Sequence, residues 1–272
     1  MTCKTLAGIP LILTLLLAAC RQTPAPVTPV PRGRELAALP TAVSAPVFTP
    51  PSGHYAEAVL RDGRWQVFAA GKSVGDATTP EELEPLFKSA KERADLAGLQ
   101  PVLLVSADGP ARFDQIAASI REAALTGIEE FHFLVLPSEP TGGETSSHAL
   151  SLSISRPGHG AIIEPLSILI TNSGEIAAGT GASRQTLDSA TAGANLPGLE
   201  AQLRIYTSAI RAANSTPVAQ LLVQPAAPYQ RFIDALCRFH ANGIRPDVLP
   251  DEGTSPTESL PPPITSPPTS IR

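Results

Sequence analysis

Apolar positions along this chain fall into two matching runs. One places Phe113, Ile116, Ala117, Ile120 and Ala124 in register; the other places Tyr229, Phe232, Ile233, Leu236 and His240 at the same steps. Both follow the three-then-four spacing of a helix buried on one face. Each predicted helix is preceded by an apolar, strand-like run opening on Pro101-Val102 or Pro217-Val218, and is followed by Gly127-Ile128 or Gly243-Ile244. Glycine suits a helix end that needs positive φ. A fixed offset of 116 residues, without a gap, brings these pairs together and also matches Ala111 with Ala227. The pattern predicts a strand–helix–strand module written twice.

The flanking segments extend both copies. In the first, Tyr55 to Leu60 and Trp65 to Ala69 alternate as strands around Asp62-Gly63, a hairpin turn. Thr79-Pro80-Glu81-Glu82 marks a helix start, with Leu83, Leu86, Phe87 and Ala90 on its apolar face and Pro85 predicted to kink it or delay its start. Phe131 to Leu136 is the closing strand, and Pro137 to Thr145 a glycine and proline break. In the second, an extra strand-like run, Ala149 to Ile154, precedes a strand at Leu166 to Thr171 and the turn Asn172-Ser173-Gly174-Glu175. A serine, threonine and glycine loop then leads to a helix striped by Leu199, Leu203, Tyr206 and Ile210. Its Leu199-Glu200 aligns with Leu83-Glu84 at the same offset. The expected fold class is α/β (α+β): two tandem small mixed β-sheet modules, residues 53–138 and 146–250, each with helices packed on one face.

Composition changes the picture at the two ends. Lys4 and the apolar stretch from Leu6 to Leu17 have the form of a secretory signal, since twelve residues are too few to span a bilayer about 30 Å thick. Leu17-Ala18-Ala19-Cys20 resembles the lipobox of bacterial lipoproteins, which implies removal of residues 1–20 up to a lipidated Cys20 and attachment to a membrane. Arg21, in place of an aspartate that would favour inner-membrane retention, points to the outer membrane of a Gram-negative cell, with the protein facing the periplasm. Residues 21–52 are rich in proline, with Pro24, Pro26, Pro29 and Pro31 closely spaced, and read as a disordered linker. Some thirty residues of such chain reach up to about 90 Å. Residues 251–272, with Pro261-Pro262-Pro263 and Pro267-Pro268, read as a disordered tail.

The order of parts resembles the periplasmic domain of the ExbD/TolR family. The residues that carry the resemblance are Asp62-Gly63, Glu82-Leu83, the run Pro101 to Asp108 and Thr126-Gly127-Ile128 in the first copy, with Ser173-Gly174, Leu199-Glu200, Pro217-Val218 and Asn242-Gly243-Ile244 in the second. The resemblance implies a small mixed sheet with helices on one face and a role near peptidoglycan and envelope transport proteins. Family members carry a transmembrane helix with an essential aspartate, and this chain has neither, so proton-driven energy transduction does not carry over.

Catalytic motifs are absent: there is no Gly-x-Ser-x-Gly elbow, paired-histidine metal motif or phosphate-binding glycine loop. The expectation is therefore a non-enzymatic protein without cofactor or metal. Asp108, just beyond a strand, and His159, in Pro157-Gly158-His159-Gly160, are the candidate binding residues. For Asp108 the plainer reading is a turn residue capping the next helix, and for His159 a surface turn. Cys3 leaves with the signal and Cys20 takes lipid, so of three cysteines only Cys237 remains as a thiol, read as inert packing. A net charge of −5 argues against nucleic acid. The function expected is an accessory or scaffold lipoprotein that binds the cell wall or an envelope transport complex; the alternative is a periplasmic small-molecule binding protein with a cleft between the modules.

Overall fold

The computed structural model describes residues 31–49, 55–96, 101–138, 147–153, 165–179, 183–215 and 217–250. The fold is mixed α/β, with two mixed sheets and five α-helices among the described residues. In the first unit, β2 (Ala56–Arg61), β3 (Arg64–Ala69) and β4 (Lys72–Ala77) form an antiparallel meander. Helix α2 (Leu83–Leu96) then leads to β5 (Val102–Ala107), and α3 (Phe113–Leu125) leads to β6 (Glu130–Pro137). In the second unit the same sequence of parts is β8 (Leu166–Ile170), β9 (Ile176–Ala178), β10 (Gln185–Asp188), α4 (Pro197–Ala212), β11 (Ala219–Val223), α5 (Tyr229–Ala241) and β12 (Asp247–Pro250).

The spatial order is the same in both. The first sheet runs β4-β3-β2-β5-β6 and the second β10-β9-β8-β11-β12, with antiparallel pairs on the hairpin side and parallel pairs around the central strand of the crossover. The register agrees as well: Ala56 pairs with Leu103, and Leu166 with Ala219, 116 residues after Leu103. Even the departures match, since the edge pairs β3–β4 and β9–β10 each contain a bulge. A bulge twists an edge and limits indiscriminate strand addition.

Local chemistry accounts for the helix starts. Glu82 closes a capping box on Thr79, and Pro80–Glu82 form a short 3₁₀ turn before α2 begins at Leu83. Pro85 thus falls in the first turn of α2, where its missing N–H costs no intrahelical bond, so the proline delays the helix rather than kinking it. Helix α4 starts after Leu196, whose side chain cannot cap. Asp188, at the end of β10, caps it from a distance by accepting the N–H groups of Gly198 at 3.0 Å and Leu199 at 2.7 Å.

Two expectations need correction. The run predicted to open the second unit forms β7 (His148–Ser153), and β7 pairs antiparallel with β6 of the first sheet, setting Leu150 opposite Phe133 and Leu152 opposite Phe131. Those apolar residues complete the core under α3 and α5, an outcome that periodicity alone does not assign to either neighbour. The linker expected over 21–52 is also too long. Residues 33–36 form the short helix α1 (Gly33–Leu36), and β1 (Thr41–Ala42) pairs in parallel with Leu136 and Pro137 of β6. This strap, residues 31–49, lies on the first sheet opposite α2 and α3, where Leu39 and Phe48 pack with Tyr55, Leu104, Leu134 and Ala149. Strands β4 and β10 are further elements that the sequence reading leaves as turn or loop.

Candidate functional site

The two units meet along a seam built from the turns that enter α3 and α5. The N–H of Phe113 donates to the carbonyl of Ala227 at 2.9 Å, and that of Tyr229 to the carbonyl of Ala111 at 2.8 Å. Asp114 donates to Pro225 at 2.9 Å, and Gln230 to Gly109 at 3.0 Å. Each bond is the counterpart of another under the 116-residue offset, with Arg112 and Pro228 paired at the centre. A local two-fold relation of this kind is how self-complementary surfaces pair in symmetric dimers. Aromatic rings fill the space behind the seam: the Phe232 ring lies 5.0 Å from that of Phe113 and 5.2 Å from that of Phe133. The alternative reading of the sequence puts a ligand cleft between the modules; along this seam the space is filled by these rings.

Helix α5 is buried almost all round because it serves both units. One side packs into the second sheet, and the other meets α3, β1 and β7 of the first unit. Its polar residues are correspondingly engaged. The Gln230 side chain accepts the N–H of Thr41 at 3.0 Å and donates to the Thr41 carbonyl at 2.8 Å, which holds β1 like an added strand. His240 Nε2 donates to the carbonyl of Ser151 at 2.8 Å, and burial lowers its pKa, so the neutral ring is favoured. Arg231 holds the carbonyls of Ala190 and Ala192, fixing the loop before α4. Burial also raises the pKa of Asp234, against the pull of the Gln230 hydrogen bond and of Arg231. The Tyr229 hydroxyl is fully buried and has no hydrogen-bond partner among the described residues.

The strap is gripped by a second cluster. Glu57 is 1% exposed in mid-strand, and its carboxylate accepts N–H groups from Arg32 at 2.8 Å and Gly33 at 2.6 Å and the Ser106 hydroxyl at 3.2 Å. Desolvation raises its pKa more than these bonds lower it. Gly33 is required by space: a Cβ there would lie 2.0 Å from Ser106 Oγ.

Of the predicted site residues, Asp108 belongs to this machinery. Its Oδ1 accepts the N–H of Ala38 at 2.7 Å, and its neighbour Gly109 donates to the Ala38 carbonyl at 3.0 Å. It therefore anchors the strap, whereas a cap on α3 was expected. Its counterpart Gln224 accepts from the N–H of Asn172 at 2.8 Å, holding the β8–β9 turn, where no strap lies among the described residues. Cys237 is buried, with its thiol pushed up to about 11 by desolvation, a poor state for redox chemistry at neutral pH. Cys20 and His159 lie outside the described residues. No group of three or more potential metal ligands occurs among the described residues.

The residues that sequence reasoning missed are Glu57, Gly33 and Gln230. An acidic residue inside an otherwise apolar strand, Tyr55 to Leu60, was the available sign. One further feature distinguishes the units. The outer edge of β6 carries β7, whereas β12, its counterpart, ends the second sheet with no strand beside it among the described residues. No family model matches this chain, and no curated protein matches it.

Proposed function

We propose that the protein is a non-enzymatic envelope lipoprotein, held to the outer membrane through Cys20, whose paired ExbD/TolR-like units act as an accessory or scaffold that binds the cell wall or an envelope transport complex. The observation that carries the reading is the edge of β12, which has no strand beside it among the described residues, set against the occupied edge of β6 in the first sheet. In the first unit an extended segment, β7, already pairs antiparallel at that position, with leucines pointing into the core. A partner's extended segment adding to β12 uses the same geometry, main-chain bonds giving affinity and alternate side chains selectivity. The buried Cys237 thiol is packed in the core and His240, whose neutral ring burial favours, is held by a backbone carbonyl, while the Ser106 hydroxyl and the Glu57 carboxylate are engaged in gripping the strap.

Co-sedimentation of the soluble protein, residues 31–250, with purified peptidoglycan sacculi at two salt concentrations separates the two kinds of partner. Pelleting that survives the higher salt assigns the cell wall. Retention in the supernatant at both salts removes the wall and leaves the transport complex.

A further inference from the structure

We infer that the first unit holds a binding pocket for a small organic acid with a compact apolar body, at a place the second unit has filled. A cavity of about 240 Å³ opens between the C-terminal half of α2 and the ends of β2 to β5. Its floor includes Ala56, Ala90 and Ala94, each buried, and its rim carries Lys72, Lys91 and Arg93. This inference does not depend on the scaffold reading, and the pocket lies within one unit rather than between two.

The duplication supplies an internal comparison. The counterparts of Ala90 and Ala94 are Tyr206 and Ile210, and the strand register pairs Ala56 with Leu166. Ile210 is 3% exposed, Leu166 is buried, and Tyr206 packs on the core while its hydroxyl donates to the Val218 carbonyl at 2.6 Å and accepts the Val218 N–H at 3.0 Å. The same framework thus accepts large side chains at all three positions. Three alanines leave a void that, unfilled, weakens the fold. A ligand offsets that loss.

The rim defines the ligand's charge. Lys91 is committed to Asp95 at 2.6 Å, whereas Lys72 and Arg93 pair with no described carboxylate. Two cations without a carboxylate partner among the described residues, above an alanine floor, favour an anionic head on an apolar body. The volume sits just below the roughly 300 to 1,000 Å³ of drug-sized sites, so the body is about one ring or a short branched chain.

The test is a fluorine NMR titration of the full chain with 4-fluorophenylacetate and, separately, with the neutral 4-fluorophenylacetamide. Saturable binding of the acid, at least fivefold tighter than the amide, is expected. Ala90→Tyr with Ala94→Ile, copying the second unit, should abolish it without lowering the melting temperature. Lys72→Gln with Arg93→Gln should bring the acid down to the affinity of the amide. No saturable binding of the acid, equal affinity for the two probes, or unchanged binding in the filled variant overturns the inference. Should the filled variant fail to fold, the acid-to-amide ratio in the Lys72→Gln, Arg93→Gln protein decides.

Discussion

Tyr229 donates its backbone N–H to the carbonyl of Ala111 at 2.8 Å, a bond that Phe113 repeats with Ala227 from the other side of the seam. Because side chains from both units pack behind these bonds, the units should unfold together. Phe232, fully buried against Phe113 and Phe133, is the most direct place to weaken the junction. Phe232→Ala should cost about 3–5 kcal/mol, seen as a lower urea midpoint. Hydrogen exchange should then show amides of β5 and β6 losing protection along with those of α5. Loss confined to the second unit would show that the seam couples them weakly.

The unpartnered Tyr229 hydroxyl makes an opposite prediction. Burying a hydroxyl without a partner costs about 1–3 kcal/mol, so Tyr229→Phe, which keeps the ring, should leave stability unchanged or raise it. Chemical denaturation reads the sign directly. A clear loss of stability would mean that the hydroxyl is paired.

Docking of the strap should depend on pH through Glu57. Its folded pKa is raised, so the folded state binds the proton more readily than the unfolded chain. The contribution of Glu57 to stability is therefore fully present below its unfolded value and is lost as pH rises through the folded one. Proteolysis of the strap should accelerate over that window as pH increases, and Glu57→Gln should flatten the dependence. Gly33→Ala should release the strap at any pH, since the added Cβ meets Ser106, and Ser106→Gly in the same chain should restore much of the protection.

Asp188 offers a local check on how the second unit is assembled. Asp188→Ala leaves two N–H groups at the start of α4 without their acceptor and should cost about 1–2 kcal/mol, with faster exchange confined at first to residues 197–200. Unaltered exchange there would show that water replaces the carboxylate at no cost.

Much of this fold is legible in the sequence because the duplicated helices carry strong one-sided stripes. Leu83, Phe87, Leu199 and Leu203 all point inward as their spacing predicts. What the sequence hides is partnership across distance. The strap reads as linker because Pro31, Pro40 and Pro46 interrupt any helical or strand period, and it is held by Glu57, Asp108 and Gln230, from 24 to 189 positions away. Strand β7 alternates well enough to be found, yet nothing in its own residues says which sheet it joins. Strand β10 is short, and its one buried residue is the polar Asp188, so it carries almost no pattern. The pocket in α2 was equally hidden, because alanines at Ala90 and Ala94 read as ordinary helix until Tyr206 and Ile210 are set beside them.

In the proposed function, the edge of β12, which has no strand beside it among the described residues, takes up an extended segment of an envelope partner. A photo-crosslinking residue placed at Arg245 or Asp247, beside that edge, and at Glu92 on the exposed side of α2 as a control, in the full-length protein in living cells, tests this. Discrete adducts are expected from the β12 positions, to peptidoglycan released by muramidase or to an envelope transport protein, and none from Glu92. Absence of adducts at both β12 positions, or the same adducts from the control, would contradict it.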